Sequence, residues 1–196
     1  MKTTDNQEEI FDLVDENDRV IGQTTRGEVH KNKNLIHRSV GVAVFNKRGE
    51  LFLQQRSETK DMDPLLWDIS CGGHVKAENL INTNKPIIQS SNKQINKYSN
   101  NPMTIYEETA HRELLEELGV DLPLKFVDKY ICQTPEETEM VMLFKSYHNG
   151  PFKLNKKEII TGRFFSKKDL KKALKTGKIK IGDFATENLR RLGWIE

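Results

Sequence analysis

Residues 112 to 120 read Arg112-Glu113-Leu114-Leu115-Glu116-Glu117-Leu118-Gly119-Val120. On a helix advancing about 100° per residue, Glu113, Glu116 and Glu117 share an arc of roughly 100°. Carboxylates packed this closely repel, and a cation laid across them removes the cost. A hard divalent ion such as Mg²⁺ takes carboxylate oxygens and often completes its shell with phosphate. Acidic residues on a helix are more often a solvated face. Here Ala110, Leu114 and Leu118 form an apolar row beside them, so the helix is expected to dock on a core. Gly119 suits the left-handed residue that stops it.

The same nine residues match REUxEExGU, the second half of the Nudix box with U aliphatic, at every fixed position. The chain therefore resembles a Nudix hydrolase. That resemblance implies an α/β fold, a mixed β-sheet sandwiched between α-helices. It implies cleavage of a diphosphate linkage by metal-activated water, with Mg²⁺ or Mn²⁺ as cofactor and a small-molecule diphosphate as substrate, a nucleoside diphosphate-X or related organic diphosphate. Metals offset the negative charge that otherwise repels a nucleophile. Carried over residue by residue, Glu116 and Glu117 are metal ligands and Glu113 is a ligand or general base. The Gly73 carbonyl joins the metal shell, and Arg112 orients a carboxylate. Glu158, outside the box, is a further base or ligand. Two departures stand out. Thirty residues separate Gly73 from Thr104 where the box has five, and Thr104 occupies the position of the box's first glutamate.

A second set resembles the type I isopentenyl diphosphate isomerases of the same superfamily. His30, His37, His74, Glu137 and Glu139 match the metal-binding histidines and glutamates of that group, implying a second divalent metal. Nitrogen and oxygen ligands together suit Zn²⁺ or Mn²⁺. Arg26, Arg56 and Lys60 match its diphosphate-binding cations. One position opposes isomerisation. The isomerase shuttles a proton with a cysteine two residues before the last of these histidines, and here that residue is Gly72. Cys71 lies one residue too early, which on a strand points its side chain to the opposite face. Val75 also replaces the isomerase motif's proline. Hydrolysis is thus the leading expectation, with isomerisation and a non-catalytic binding module as alternatives.

The elements that must position these groups follow from pattern and punctuation. Ile10 to Val14 and Arg19 to Thr24 read as strands around a polar turn. Ser39 to Phe45 and Glu50 to Gln55 flank Asn46-Lys47-Arg48-Gly49, a hairpin signal. Residues 56 to 66 read as a loop, and Trp67 to Cys71 as a strand entering Gly72-Gly73. Thr104-x-x-Glu107 is a capping box that opens the acidic helix near Ile105. Leu124 to Gln133 and Glu139 to His148 read as long strands, and Gly162 to Phe165 as a short one. Ser166-x-x-Asp169 caps a helix ending near Gly177, and Ala185 to Leu192 forms a last one. Residues 1–196 are expected to make one domain. It carries an Asn-, Ser- and Lys-rich insertion at 76–103 inside the box and a helical extension at 178–196.

With 196 residues, 31% of them charged, and a mean hydropathy of −0.67, the chain has no stretch suited to spanning a bilayer. A net charge of +2 supports neither a nucleic-acid nor a membrane partner. The N-terminus lacks the apolar core of a signal peptide. Two cysteines without metal-type spacing fit a reducing, cytoplasmic setting. A homodimer, common among Nudix proteins, is a further expectation.

Overall fold

The computed structural model describes residues 3, 5–77 and 102–196. Strands β1 (Ile10–Val14), β2 (Val20–Thr25), β3 (Ile36–Phe45), β4 (Leu51–Arg56), β5 (Trp67–Asp68), β6 (Cys71–His74), β7 (Lys125–Gln133), β8 (Thr138–Tyr147) and β9 (Ile159–Phe165) form one mixed sheet. Helices α1 (Arg26–Val29), α2 (Pro102–Glu113), α3 (Lys167–Lys175) and α4 (Asp183–Arg191) complete the described elements. The insertion placed at 76–103 falls largely on 78–101, outside the described residues.

Strand β3 is the axis. Parallel β8 borders it along all ten residues, Ile36↔Thr138 to Phe45↔Tyr147. Its other edge is shared in succession by β1 at Ile36 and His37, β6 at Ser39 to Val42, and β4 at Phe45. Hydrophobic residues occupy both faces of β3 and β8, the mark of a sheet covered on both sides. Val40, Val42, Val44, Met140, Met142 and Phe144 pack under α2 with its Tyr106 and Ala110. On the opposite face Leu170 and Ala173 of α3 and Leu189 of α4 cover Ala43, Leu51 and Leu53. The sheet is therefore sandwiched between helices. Residues 178–196 contribute Leu189 and Trp194 to that second core.

Several expected elements differ in detail. The hairpin turn at Asn46 to Gly49 forms, but β3 and β4 share only the pair Phe45↔Leu51. They diverge because β6 takes the next stretch of β3, while β4 pairs with β9 from Leu51↔Phe165 to Arg56↔Ile159. Ser70 fills the gap. Its hydroxyl donates to the Phe52 carbonyl at 2.6 Å and accepts from the Val44 amide at 2.7 Å, replacing the missing ladder bonds. The strand expected at Trp67 to Cys71 is accordingly split into β5 and β6 around Ile69 and Ser70. Gly73 and His74 belong to β6 rather than to a loop. Within the described residues the acidic helix already runs from Pro102, so it does not start near Ile105. Thr104 thus lies inside the helix and is not its cap.

Beyond Glu113 the helix widens into a π turn, Leu114–Leu118, which Gly119 closes at φ 69°. π turns are rare and concentrate at functional sites. The Ser166 cap forms as read: its hydroxyl accepts from the Asp169 amide at 3.1 Å and donates to the Asp169 carboxylate at 2.7 Å.

A buried ionic knot clamps α2 to the sheet. Asp18, at φ 62°, accepts from Arg38 Nε of β3 at 2.6 Å, Tyr106 Oη of α2 at 3.2 Å and Lys129 Nζ of β7 at 2.5 Å. Asp18→Asn tolerates the same left-handed backbone but leaves the buried Arg38 charge poorly compensated. The expected loss is about 3 kcal/mol, read by urea unfolding, as for other buried pairs that lose one partner.

Candidate active site

Side chains alternate across a strand, and β6 uses both faces. Cys71, fully buried, packs into the core beneath α2. Gly72 faces the opposite way: a Cβ there would stand 3.2 Å from the Phe184 ring of α4. At Gly73 a Cβ would lie 2.2 Å from Glu113 Oε1, so the carboxylate of α2 rests on bare backbone. His74 points into a cluster of histidines. The parity expected of Cys71 holds, since its thiol faces Glu117 and burial, then Glu117 and Glu113, push it well above its usual range.

Glu113 and Glu117 are buried beside the sheet, and Glu116 is half exposed at the rim. Arg112 Nη2 lies 2.7 Å from Glu113 Oε1 and donates to the His74 carbonyl at 3.1 Å, while Nη1 reaches Glu116 at 3.2 Å. Arg112 thereby staples the helix to the end of β6. Gln54 of β4 donates to Glu117 Oε2 at 2.7 Å. Burial pushes Glu113 up to about 7, with Arg112 opposing and Glu116 and Glu158 adding to the rise. Burial, then Glu113 and Glu158, hold Glu117 well above the carboxylate range. Both directions mean that negative charge here is unfavourable without a cation. Glu158, held by Asn155 Nδ2 at 2.9 Å, lines the same cavity of about 360 Å³.

The second cluster adjoins that cavity, which His74, Glu137 and Glu139 also line. His30, His37, His74 and Glu137 offer ligand atoms that all lie within 4.8 Å of one another. Glu139 joins through His74 Nε2 at 3.3 Å. Register explains the assembly: β3 sets His37 opposite Glu139 of β8, and Ser39 opposite His74 of β6. Phe11 of β1 stacks on His37, with ring centroids 5.4 Å apart. His30 Nε2 and His37 Nε2 stand 3.1 and 3.4 Å from Glu137 Oε2, yet none of these atoms is hydrogen-bonded. Buried polar atoms normally find partners. Converging nitrogens and a carboxylate left without them fit a divalent ion. Burial opposes protonation of His30, but Asp61 and Glu137 outweigh it and lift the ring to about 9. Burial lowers His37 and, with Arg26, holds His74 well down. Glu137 is lowered by its histidines against burial, whereas burial and Glu137 raise Glu139.

The three cations named from sequence also line the cavity, each already held by a carboxylate. Arg26 is forked onto Asp61 at 2.9 and 3.0 Å, Arg56 meets Asp68 at 3.0 Å, and Lys60 meets Asp5 at 2.6 Å and Glu158 at 3.6 Å. Sequence reasoning missed Asp61, Asp5, Gln54 and Phe184. None has a motif spacing of its own; Asp61 could have been found only as the acidic neighbour of Lys60.

The NUDIX domain family matches residues 103–184. An uncharacterized Nudix hydrolase of Pseudomonas aeruginosa is 30% identical over 157 residues, covering 80% of this chain and 78% of that protein. Isopentenyl-diphosphate Delta-isomerase 2 of Photorhabdus laumondii is 33% identical over 124 residues, 63% of this chain and 55% of that enzyme. The chain spans little more than half the length of that relative. Among solved structures, DR0079 from Deinococcus radiodurans superposes with a TM-score of 0.67 at 24% identity, covering 93% of this chain and 98% of that one.

Gly73→Ala puts a methyl group where Glu113 Oε1 now sits. The side chain can swing away, so the fold is expected to persist by circular dichroism while Mn²⁺ affinity, measured by calorimetry, drops about tenfold or more.

Proposed function

This chain belongs to the Nudix family, and on that premise we propose that it hydrolyses a diphosphate linkage in a small organic molecule, a nucleoside diphosphate-X or a related compound. The observation that carries the reading is the pair of buried carboxylates, Glu113 and Glu117, the first of them resting against the Gly73 backbone, in a cavity that also holds Arg26, Arg56 and Lys60. Glu113, Glu116, Glu117 and the Gly73 carbonyl would hold Mg²⁺ or Mn²⁺, and their oxygen-only chemistry suits such ions. His30, His37, His74, Glu137 and Glu139 would hold a second divalent ion. Bound there, the metals supply charge neutralisation and Lewis acidity toward the diphosphate.

The protein's own groups do the rest. Arg26, Arg56 and Lys60 line the cavity and draw the anion into it. Arg112 holds Glu113 and Glu116 in place from behind. Glu158, 3.6 Å from Lys60, is the candidate to take a proton from the attacking water. The free, buried Cys71 and Cys132 support a reducing, cytoplasmic setting, and no described helix is long and apolar enough to cross a membrane.

A second reading, isomerisation of isopentenyl diphosphate, draws on the histidine cluster and on the isomerase relatives. Gly72 opposes it, having no side chain at the position the proton shuttle needs, and Cys71 faces Glu117 on the other side of the strand.

Phosphate release is to be scored across nucleotide, sugar-nucleotide and isoprenoid diphosphates with Mg²⁺ or Mn²⁺ present. Glu117→Gln keeps the shape and the contact with Gln54, and is expected to lower turnover by more than about 100-fold, beyond the loss usual for an outer-shell partner. Parental turnover in that variant would refute the hydrolase assignment. Isopentenyl diphosphate is expected to give no dimethylallyl diphosphate.

A further inference from the structure

Arg26 sits in an awkward place. Its Nη1 stands 3.2 Å from His74 Nδ1, and it is itself almost fully buried. A guanidinium only donates, and its charge lies against a cluster that gathers three histidines for a divalent cation. Left alone, that charge would repel the ion. Asp5 and Glu9 approach its guanidinium at 3.9 and 3.8 Å, but Asp61 is the carboxylate in direct contact, at 2.9 Å. The two oxygens of Asp61 accept from Arg26 Nε at 2.9 Å and Nη2 at 3.0 Å, a paired fork that turns Nη1 toward the cavity. Asp61 Oδ2 is also 3.2 Å from His30 Nδ1. That approach is an ion-pair contact and not a hydrogen bond, so the firm contact of Asp61 is its fork on Arg26.

Asp61 is in turn locked from behind. Gln7 Nε2 donates to Oδ2 at 3.0 Å, and the Asp61 amide donates to Asp5 at 2.9 Å. The loop 57–66 and the N-terminal segment thus converge on one carboxylate.

We propose that Asp61 is a positioning residue that offsets the Arg26 charge beside the histidine cluster, so that a cation-binding site and an anion-binding arginine can share one cavity. It acts through Arg26 rather than by touching substrate. The proposal rests on the metal reading of the histidine set given above.

The test uses Co²⁺ alone, whose visible absorption reports ligation by histidine nitrogen, titrated into the full-length metal-free protein. Asp61→Asn is expected to weaken Co²⁺ binding by about 10- to 100-fold, the range for losing an outer-shell partner. The double variant Arg26→Gln/Asp61→Asn removes both charges together and is expected to recover most of that loss. It also serves if Asp61→Asn alone fails to fold, because removing both members of a buried pair costs less than stranding one; Arg26→Gln/Asp61→Asn must then bind Co²⁺ within a few-fold of the parent. Parental affinity in Asp61→Asn, or a double variant no tighter than a folded Asp61→Asn, would overturn the role given to Asp61. A parent protein that shows no histidine-ligated Co²⁺ would overturn the metal reading along with it, and would leave hydrolysis at the carboxylate helix a separate question.

Discussion

The four residues of β6 are the constraint on which the two halves of the cavity depend. Because side chains alternate, consecutive positions serve different partners: Gly73 receives Glu113 from α2, and His74 faces the histidine cluster. A shift of one residue would exchange these faces along the whole strand. Antiparallel pairing with Ser39 to Val42 of β3 pins that register. The divergence of β3 from β4, bridged by the Ser70 hydroxyl, opens the space into which β6 fits.

Around that strand the cavity is organised as a balance of charge. Carboxylates gather at both ends, Glu113 and Glu117 against α2, Glu137 and Glu139 beside the histidines. Burial and mutual repulsion raise Glu113, Glu117 and Glu139. The arginines and the lysine between them are each tied to a carboxylate outside those two groups. The same electrostatics connect the proposed metal sites, the arginine positions and the part given to Asp61.

Much of the site was legible because it lies in short, rigidly spaced runs. Glu113, Glu116 and Glu117 are local to one helix, so their common face follows from helical geometry alone, even though the π turn at Leu114 to Leu118 alters the detail. The parity of Cys71 and Gly72 was equally readable, being a property of any strand. The helix start was misplaced because Thr104 carries a capping pattern, yet it lies inside a helix that already includes Pro102. The simple hairpin at residues 39 to 55 was misjudged for a different reason. The turn is local, but the partners along each strand are chosen by distant segments, β6 and β9.

The sequence by itself determined the acidic helix, the absence of a side chain at residue 72 and the alternation of strands with helices, each written in periodicity or spacing within a few residues. That glycines approach the helix and that the sheet lies between helices followed from the family resemblance. Tertiary structure alone decided that His30, His37, His74 and Glu137 converge within 4.8 Å, that Arg26 abuts His74, and that Asp61 and Asp5 engage the cavity's cations. Those contacts join residues tens of positions apart, through strand register and loop closure, and no local pattern encodes which distant charge will face which.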